Sequence, residues 1–260
     1  MKRSNLFEFE DFQWFPNIWR KSMTRLIVVV HKMFKTEPVI TNLIDEVLKK
    51  SNENRIVDLC SGSGGPMEDV FKNLKQQHPS LILTMTDLYP NQETVASVNE
   101  FQEQGLEFVS EPVDAADVPA VLEGVRTMIC SFHHMPPKVA REILENAKSA
   151  QQPLVIFELS DNSFPKLLAW TAFPVNIILC FFITPFVRPM TWYQLVFTYL
   201  IPVIPLFYAW DGAVSNLRTY TEDDLDELLK GLDDTTYTWK KEVIKQGNNK
   251  FLTLVGMPSS

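Results

Sequence analysis

A chain of 260 residues has room for one large α/β domain or two small ones. Its net charge of −8 argues against a general affinity for nucleic acid or anionic lipid. The three cysteines, Cys60, Cys130 and Cys180, form no CxxC pair or Cys/His cluster, which argues against zinc and a disulfide framework and for a reducing compartment.

The opening "MKRSNLFEFEDFQWF" follows its basic pair with acids instead of an apolar run, so it does not read as a signal peptide. Residues 6–35 are aromatic-rich and amphipathic. "IWRKSMTRLIVVVHKMF" reads as a helix, with its "LIVVV" run open between helix and strand. "PVITNLIDEVLKK" (38–50) is a second helix. A βαβ rhythm follows, with strands within 55–60, 81–87, 106–115, 126–132 and 153–159. Between them the apolar spacing predicts helices over 66–77, 91–105, 118–125 and 137–150. Such alternation implies a parallel sheet with helices on both faces. The rhythm stops for an apolar stretch and resumes over 220–232, where Thr221 and Asp224 have the spacing of a capping box. "TTYTWKKEVIK" and "KFLTLVGM", joined by "QGNN", predict a terminal β-hairpin.

"IVDLCSGSGGP" (56–66) lies between the first strand and its helix. Small residues there let backbone approach a ligand closely, and a helix start offers free N–H groups. Asp87 ends the second strand, 23 residues after Gly64, where a carboxylate can accept both hydroxyls of a ribose. Asp114 follows the third strand, where a polar side chain can meet an adenine amino group. Each Asp alone would also suit an exposed turn or a helix cap. All three features lie at the ends of consecutive strands, where ligands bind in open α/β sheets. The loop lacks the G-x-G-x-x-G spacing of a dinucleotide fold, and S-adenosylmethionine has no pyrophosphate to cradle.

With "VDLCSGSGG", "TMTDLYPN", "PVDAADVP" and "SFHHM" in these places, the chain resembles the class I S-adenosylmethionine-dependent methyltransferases over about 50–160 and 219–257. "TDLYPN", "FHHM" and "DGAVSNLRTYT" together are similar to a bacterial branch of that superfamily. The resemblance implies a doubly wound α/β fold with a seven-stranded, mostly parallel sheet whose last strand is antiparallel. It implies N-terminal helices over 1–50 acting as a lid, and a methyltransferase domain over 51–260 interrupted at 165–212. S-adenosylmethionine is then expected at Asp58, Cys60, Ser61, Gly62 and Gly64, at Asp87 and Leu88, at Asp114 and Ala115, and at Ser131 and Phe132. Many members of the family have glycine where Cys60 stands.

Methyl transfer from a sulfonium is an in-line displacement, in which alignment in a dry pocket matters most. A general base is needed when the acceptor is a phenol, an enol or a protonated amine. His133 and His134, two of only four histidines, lie just past the fourth strand and are the catalytic candidates. No metal centre is expected, because adjacent His side chains diverge and no third ligand is evident. Glu158, at the end of the fifth strand, either binds the acceptor or caps the next helix. Arg218 either pairs with an acid or holds an anionic acceptor. Trp19 and Arg20 either touch the methionine part of the cofactor or pack at the surface.

Residues 167–187 and 189–210 carry no charge, and each run is long enough to span a bilayer as a helix. Pro174, Pro185, Pro189, Pro202 and Pro205 interrupt them, and Arg188 would have to reach the far side. Three readings stand: a transmembrane pair, a monotopic hairpin dipping into one leaflet with its Trp and Tyr at the interface, and a buried cap or dimer interface. The hairpin is favoured. The insertion follows the fifth strand, at the ligand end of the sheet. The expected function is methyl transfer to oxygen or nitrogen of a lipophilic small molecule or lipid head group, at the inner face of the cytoplasmic membrane. A homodimer stays open, and no nucleic acid is expected. The rival is a non-catalytic methyltransferase-like protein binding cofactor or a partner at the membrane.

Overall fold

The first five strands are short, and most of their residues are apolar or small enough to bury on both faces. They are β1 (Arg55–Asp58), β2 (Ile82–Met85), β3 (Leu106–Phe108), β4 (Val125–Ile129) and β5 (Leu154–Glu158). The closing hairpin pairs β6 (Tyr237–Gln246) with β7 (Asn249–Pro258). In the computed structural model, which describes residues 1–100, 104–163, 165 and 170–259, these form one seven-stranded sheet. Its order is β3-β2-β1-β4-β5-β7-β6. The first five strands are parallel, and β7 runs antiparallel to both β5 and β6. This is the expected doubly wound sheet.

Period-two alternation divides the core. Ile56, Leu83, Met85, Val155 and Phe157 face one side, under α2 (Thr36–Ser51), α3 (Met67–Gln77) and α4 (Gln92–Glu100). Val57, Met128, Leu154 and Ile156 face the other, under α5 (Pro137–Ser149) and the later helix Glu222–Leu229. The capping box at Thr221 and Asp224 forms as expected.

A third core lies off the sheet. Helix α1 (Asn17–Phe34) buries Met23, Leu26, Val29 and Val30, so the "LIVVV" run is helical. Those residues pack on Cys180 and Ile183 of α6 (Ala172–Ile183) and on Ile204 and Tyr208 of α8 (Val203–Arg218). Between α6 and α8 a short helix α7 (Trp192–Leu195) runs into a π turn, Val196–Leu200. The N-terminal helix and the apolar insertion therefore share one core. The later helix Glu222–Leu229 is α9.

Two expectations change. Residues 118–124 form turns and no helix: Pro119 and Gly124, with φ +131°, bracket too short a stretch. The helix expected over 91–105 reaches Glu100; residues 101–103 lie outside the described residues, as do 164 and 166–169 at the start of the insertion.

Candidate functional site

After β1 the chain turns sharply. Cys60, Gly62, Gly64 and Gly65 all have positive φ, at 59°, 55°, 95° and 50°. Cys60 therefore holds a left-handed conformation that glycine adopts without steric cost. A Cβ at Gly62 or Gly65 would meet no atom within 4 Å, whereas at Gly64 it would lie 3.1 Å from Glu68 Oε1. The loop borders open space at two of its glycines.

Asp58 supports this loop from below. It is buried, accepting hydrogen bonds from Thr127 Oγ1 and Ser61 Oγ, both at 2.6 Å. Burial pushes its carboxyl up to about 6, against the opposing effect of those two bonds. Asp58 and Ser61 thus shape the loop, and their polar side-chain atoms point at each other rather than at a ligand. Asp87 closes it from the side: Gly62 N–H donates to Oδ2 at 2.9 Å and Tyr89 N–H to Oδ1 at 2.8 Å. Each oxygen keeps a lone pair. Burial and the carboxylates of Asp87, Asp58 and Asp114 raise the Cys60 thiol well above its ordinary range, so it stays protonated.

The residues present fit a cationic nucleoside better than a pyrophosphate. Glu68 and Asp69 occupy the first turn of α3, where they oppose an anion. Ser131 Oγ, at the carboxyl end of β4, is buried without a hydrogen-bond partner. The ribose and ammonium groups of S-adenosylmethionine offer donors for Asp87 and for such an orphaned hydroxyl, and its sulfonium suits the surrounding carboxylates.

Beyond Ser131 the chain makes a 3-10 turn, Phe132–His134. In a strand the two histidines would face opposite ways; in this turn they share a side. Their ring centroids lie 4.2 Å apart with a tilt of 36°. His133 is buried, its Nδ1 2.7 Å from Glu158 Oε2 and its Nε2 3.1 Å from Ser215 Oγ. His134 Nδ1 lies 2.8 Å from Asp11 Oδ1. Glu8 faces both Nε2 atoms, at 3.8 Å from His133 and 3.9 Å from His134. The histidines do not diverge, and a third potential ligand is present, which corrects both grounds for excluding a metal. Burial pushes Glu8 up to about 7 and Asp211 up to about 6. Burial raises Asp11 too, but hydrogen bonds from His134 and Arg218 outweigh it and hold Asp11 below the usual carboxylate range.

Two solved structures share this architecture. One is the plantazolicin methyltransferase BpumL in complex with SAH, with a TM-score of 0.52 at 12% identity, covering 91% of this chain and 84% of that one. The other is the methyltransferase domain of bacterial CtHen1-CN, with a TM-score of 0.51 at 12% identity, covering 86% and 99%. The fold is that of the class I methyltransferases. No protein-family model matches the chain, and no curated protein sequence does either.

On this methyltransferase fold the remaining predicted residues separate. Leu88 is exposed beside Asp87. Asp114 is exposed and accepts from Ala116 N–H at 2.8 Å, capping its own turn. Ala115 is buried in the core, and Phe132 packs on Tyr220 with centroids 5.2 Å apart. These two side chains serve the core, since a residue next to a ligand loop alternates between facing it and facing the sheet. Trp19 packs among Phe15, Phe197 and Phe207 in the third core, and Arg20 donates to the carbonyls of Glu10, Phe12 and Phe15. Both pack or bond within the N-terminal segment and the third core. Arg218 is buried between Glu8 and Asp11, with Nη1 3.1 Å from Glu8 Oε1, and donates to His134 O at 2.9 Å. Glu158 binds His133 instead of capping a helix.

Nothing local in the sequence marks Glu8, Asp11 and Ser215 as partners of the histidines. Glu8 and Asp11 stand more than 120 residues before the pair, and no local spacing links them. The acids of "FEFED" were the available signal.

Proposed function

We propose that this chain transfers a methyl group from S-adenosylmethionine to oxygen or nitrogen of a lipophilic small molecule or lipid head group. The observation that carries the reading is the left-handed glycine loop under Asp87, with open space at Gly62 and Gly65, on a methyltransferase fold. S-adenosylmethionine supplies a methyl group made electrophilic by its sulfonium.

The residues of the chain then do the following. Asp87 accepts the ribose hydroxyls. Gly62 and Gly65 let backbone approach the ligand. Ser131 directs its hydroxyl at the ligand end of β4. The cap built from α1, α6 and α8 excludes water, and the polar cluster at His133 and His134 meets the acceptor's polar end and receives its proton.

The lipophilic acceptor is inferred from the cap. Val175, Ile178, Phe182 and Phe186 are exposed at spacings of three and four, one face of α6 and its extension. Trp192, Leu195, Tyr199, Leu200 and Ile201 are exposed on the segment that follows. Large contiguous apolar surface of this kind marks an interaction site. Among the described residues no single helix is long and apolar enough to cross a membrane, and the pair Trp192–Leu200 and Val203–Arg218 is bent by 83°. This supports a hairpin resting in one leaflet, with Arg188 at the water boundary.

Calorimetry of the full chain with S-adenosylmethionine tests the first step, and absence of binding at millimolar cofactor would sink it. Mass spectrometry of lipid extracts incubated with the chain and methyl-labelled cofactor tests the second. Label in no lipid-soluble product, despite cofactor binding, would leave the non-catalytic reading.

A further inference from the structure

We propose that Glu8, His133 and His134 hold a divalent first-row metal ion. The proposal does not rest on methyl transfer, because the cation and the cofactor loop use different residues; a bound ion would replace the imidazoles as the group that lowers the acceptor's proton affinity.

One ligand atom from each of the three side chains lies within 4.8 Å of the others. Glu8 presents Oε1 to His133 Nε2 and Oε2 to His134 Nε2. Bonds of about 2.1 Å place tetrahedral ligand atoms roughly 3.4 Å apart, so each of these two gaps need close by only about half an ångström.

Both rings carry the outer contacts that orient metal-bound histidine. His133 Nδ1 is held by Glu158 and His134 Nδ1 by Asp11, at 2.7 and 2.8 Å. A carboxylate accepts only, so each Nδ1 carries the proton and each Nε2 keeps a lone pair for a ligand. Ser215 Oγ now donates to His133 Nε2 and rotates away when a cation takes that lone pair.

The charges around the trio do not balance. Glu8, Asp11, Glu158 and Asp211 bring four carboxylates to the cluster. Arg218 and Arg3 bring two guanidinium groups, with Arg3 Nη2 2.7 Å from the His133 carbonyl. Excess buried charge of one sign is costly unless it is paired or coordinates a metal. Arg218 Nη1 pairs with Glu8 Oε1 at 3.1 Å, without a well-aligned hydrogen bond to that oxygen. A cavity of about 270 Å³ lined by Arg3, Asn5, Leu6, His134, Pro136 and Arg218 opens onto one of the three, His134. Two imidazoles and one carboxylate suit zinc, iron(II) or cobalt(II), with open positions for water or an acceptor oxygen.

The metal-stripped full chain is dialysed against Zn²⁺ or Co²⁺, and bound metal is measured by mass spectrometry. One ion per chain is expected, with a Co²⁺ visible band, and Glu8→Gln and His134→Ala should each lose it. His78→Ala, at the end of α3 and bonded to Asp45, should keep it. Because the variants remove buried contacts, location is also read in the wild type: Zn²⁺ should cut diethylpyrocarbonate labelling of His134 at least fivefold while leaving His78 labelling unchanged. Less than about 0.1 ion per chain, or a bound ion that leaves His134 labelling untouched, overturns the proposal. Asp11→Asn should keep the Co²⁺ band and weaken affinity about 10- to 100-fold.

Discussion

Glu158 holds His133 twice, accepting from its backbone N–H at 3.0 Å and facing its Nδ1 at 2.7 Å. The end of β5 thereby sets both the turn after β4 and the orientation of the ring. Glu158→Gln keeps the shape and removes the charge. Methyl transfer should fall about tenfold or more, because a neutral amide no longer polarises the imidazole. Turnover of labelled cofactor checks this, with cofactor affinity expected to stay within about twofold.

Asp87→Ala removes the acceptor at the end of β2 and the bond that closes the loop onto Gly62. Hydrogen bonds to a charged group contribute about 1.5–3 kcal/mol, so cofactor affinity should drop by about one to two orders of magnitude. Calorimetry measures it, and an unchanged Kd would remove Asp87 from the cofactor site.

Cys60 and Gly64 test the loop in opposite directions. Cys60 has φ 59°, and a left-handed non-glycine residue costs about 1–2 kcal/mol. Cys60→Gly should leave the melting temperature unchanged or raise it by a few degrees, since relief of strain is partly offset by the entropy of glycine. Gly64→Ala should lower stability by about 1–2 kcal/mol, because φ is 95° and the added Cβ meets Glu68. Thermal unfolding of both variants decides.

His31 is buried, its Nδ1 2.6 Å from Thr36 Oγ1 and its Nε2 3.9 Å from Cys130 Sγ. Burial lowers its pKa from 6.5 to about 4. The unfolded chain takes up the proton below pH 6.5 and the folded chain only near pH 4. This residue therefore costs nothing above pH 6.5, and stability falls progressively between the two values. At pH 5 the loss is about 2 kcal/mol. Urea unfolding at pH 7 and pH 5 should show it, and His31→Gln should flatten the difference.

Phe182, Phe186 and Leu200 are 71%, 68% and 77% exposed. Replacing all three with Ser should leave folding intact, because none contributes to a core, and should abolish flotation of the chain with liposomes. A variant that floats as well as the wild type would refute the membrane contact. A wild type that stays unbound but dimerises would assign the same face to a second copy.

The alternation of short apolar strands with amphipathic helices was enough to order the sheet, because strand and helix periods are local properties of the chain. The glycine loop and Asp87 were legible for a related reason: in a parallel sheet, loops after successive strands must emerge at one end. The apolar insertion was visible from hydropathy, yet hydropathy is silent on what an apolar helix touches. Among its described residues Cys180, Ile183, Ile204 and Tyr208 bury in the core shared with α1, while Phe182, Phe186 and Leu200 face outward. The environment of the histidines was decided only in three dimensions. A 3-10 turn after β4 brought both rings to one side, and chain reversal over more than 120 residues set Glu8 and Asp11 against them. Side-chain type and spacing carry the first kind of information; contacts between distant segments, which depend on how the cap closes over the sheet, carry the second.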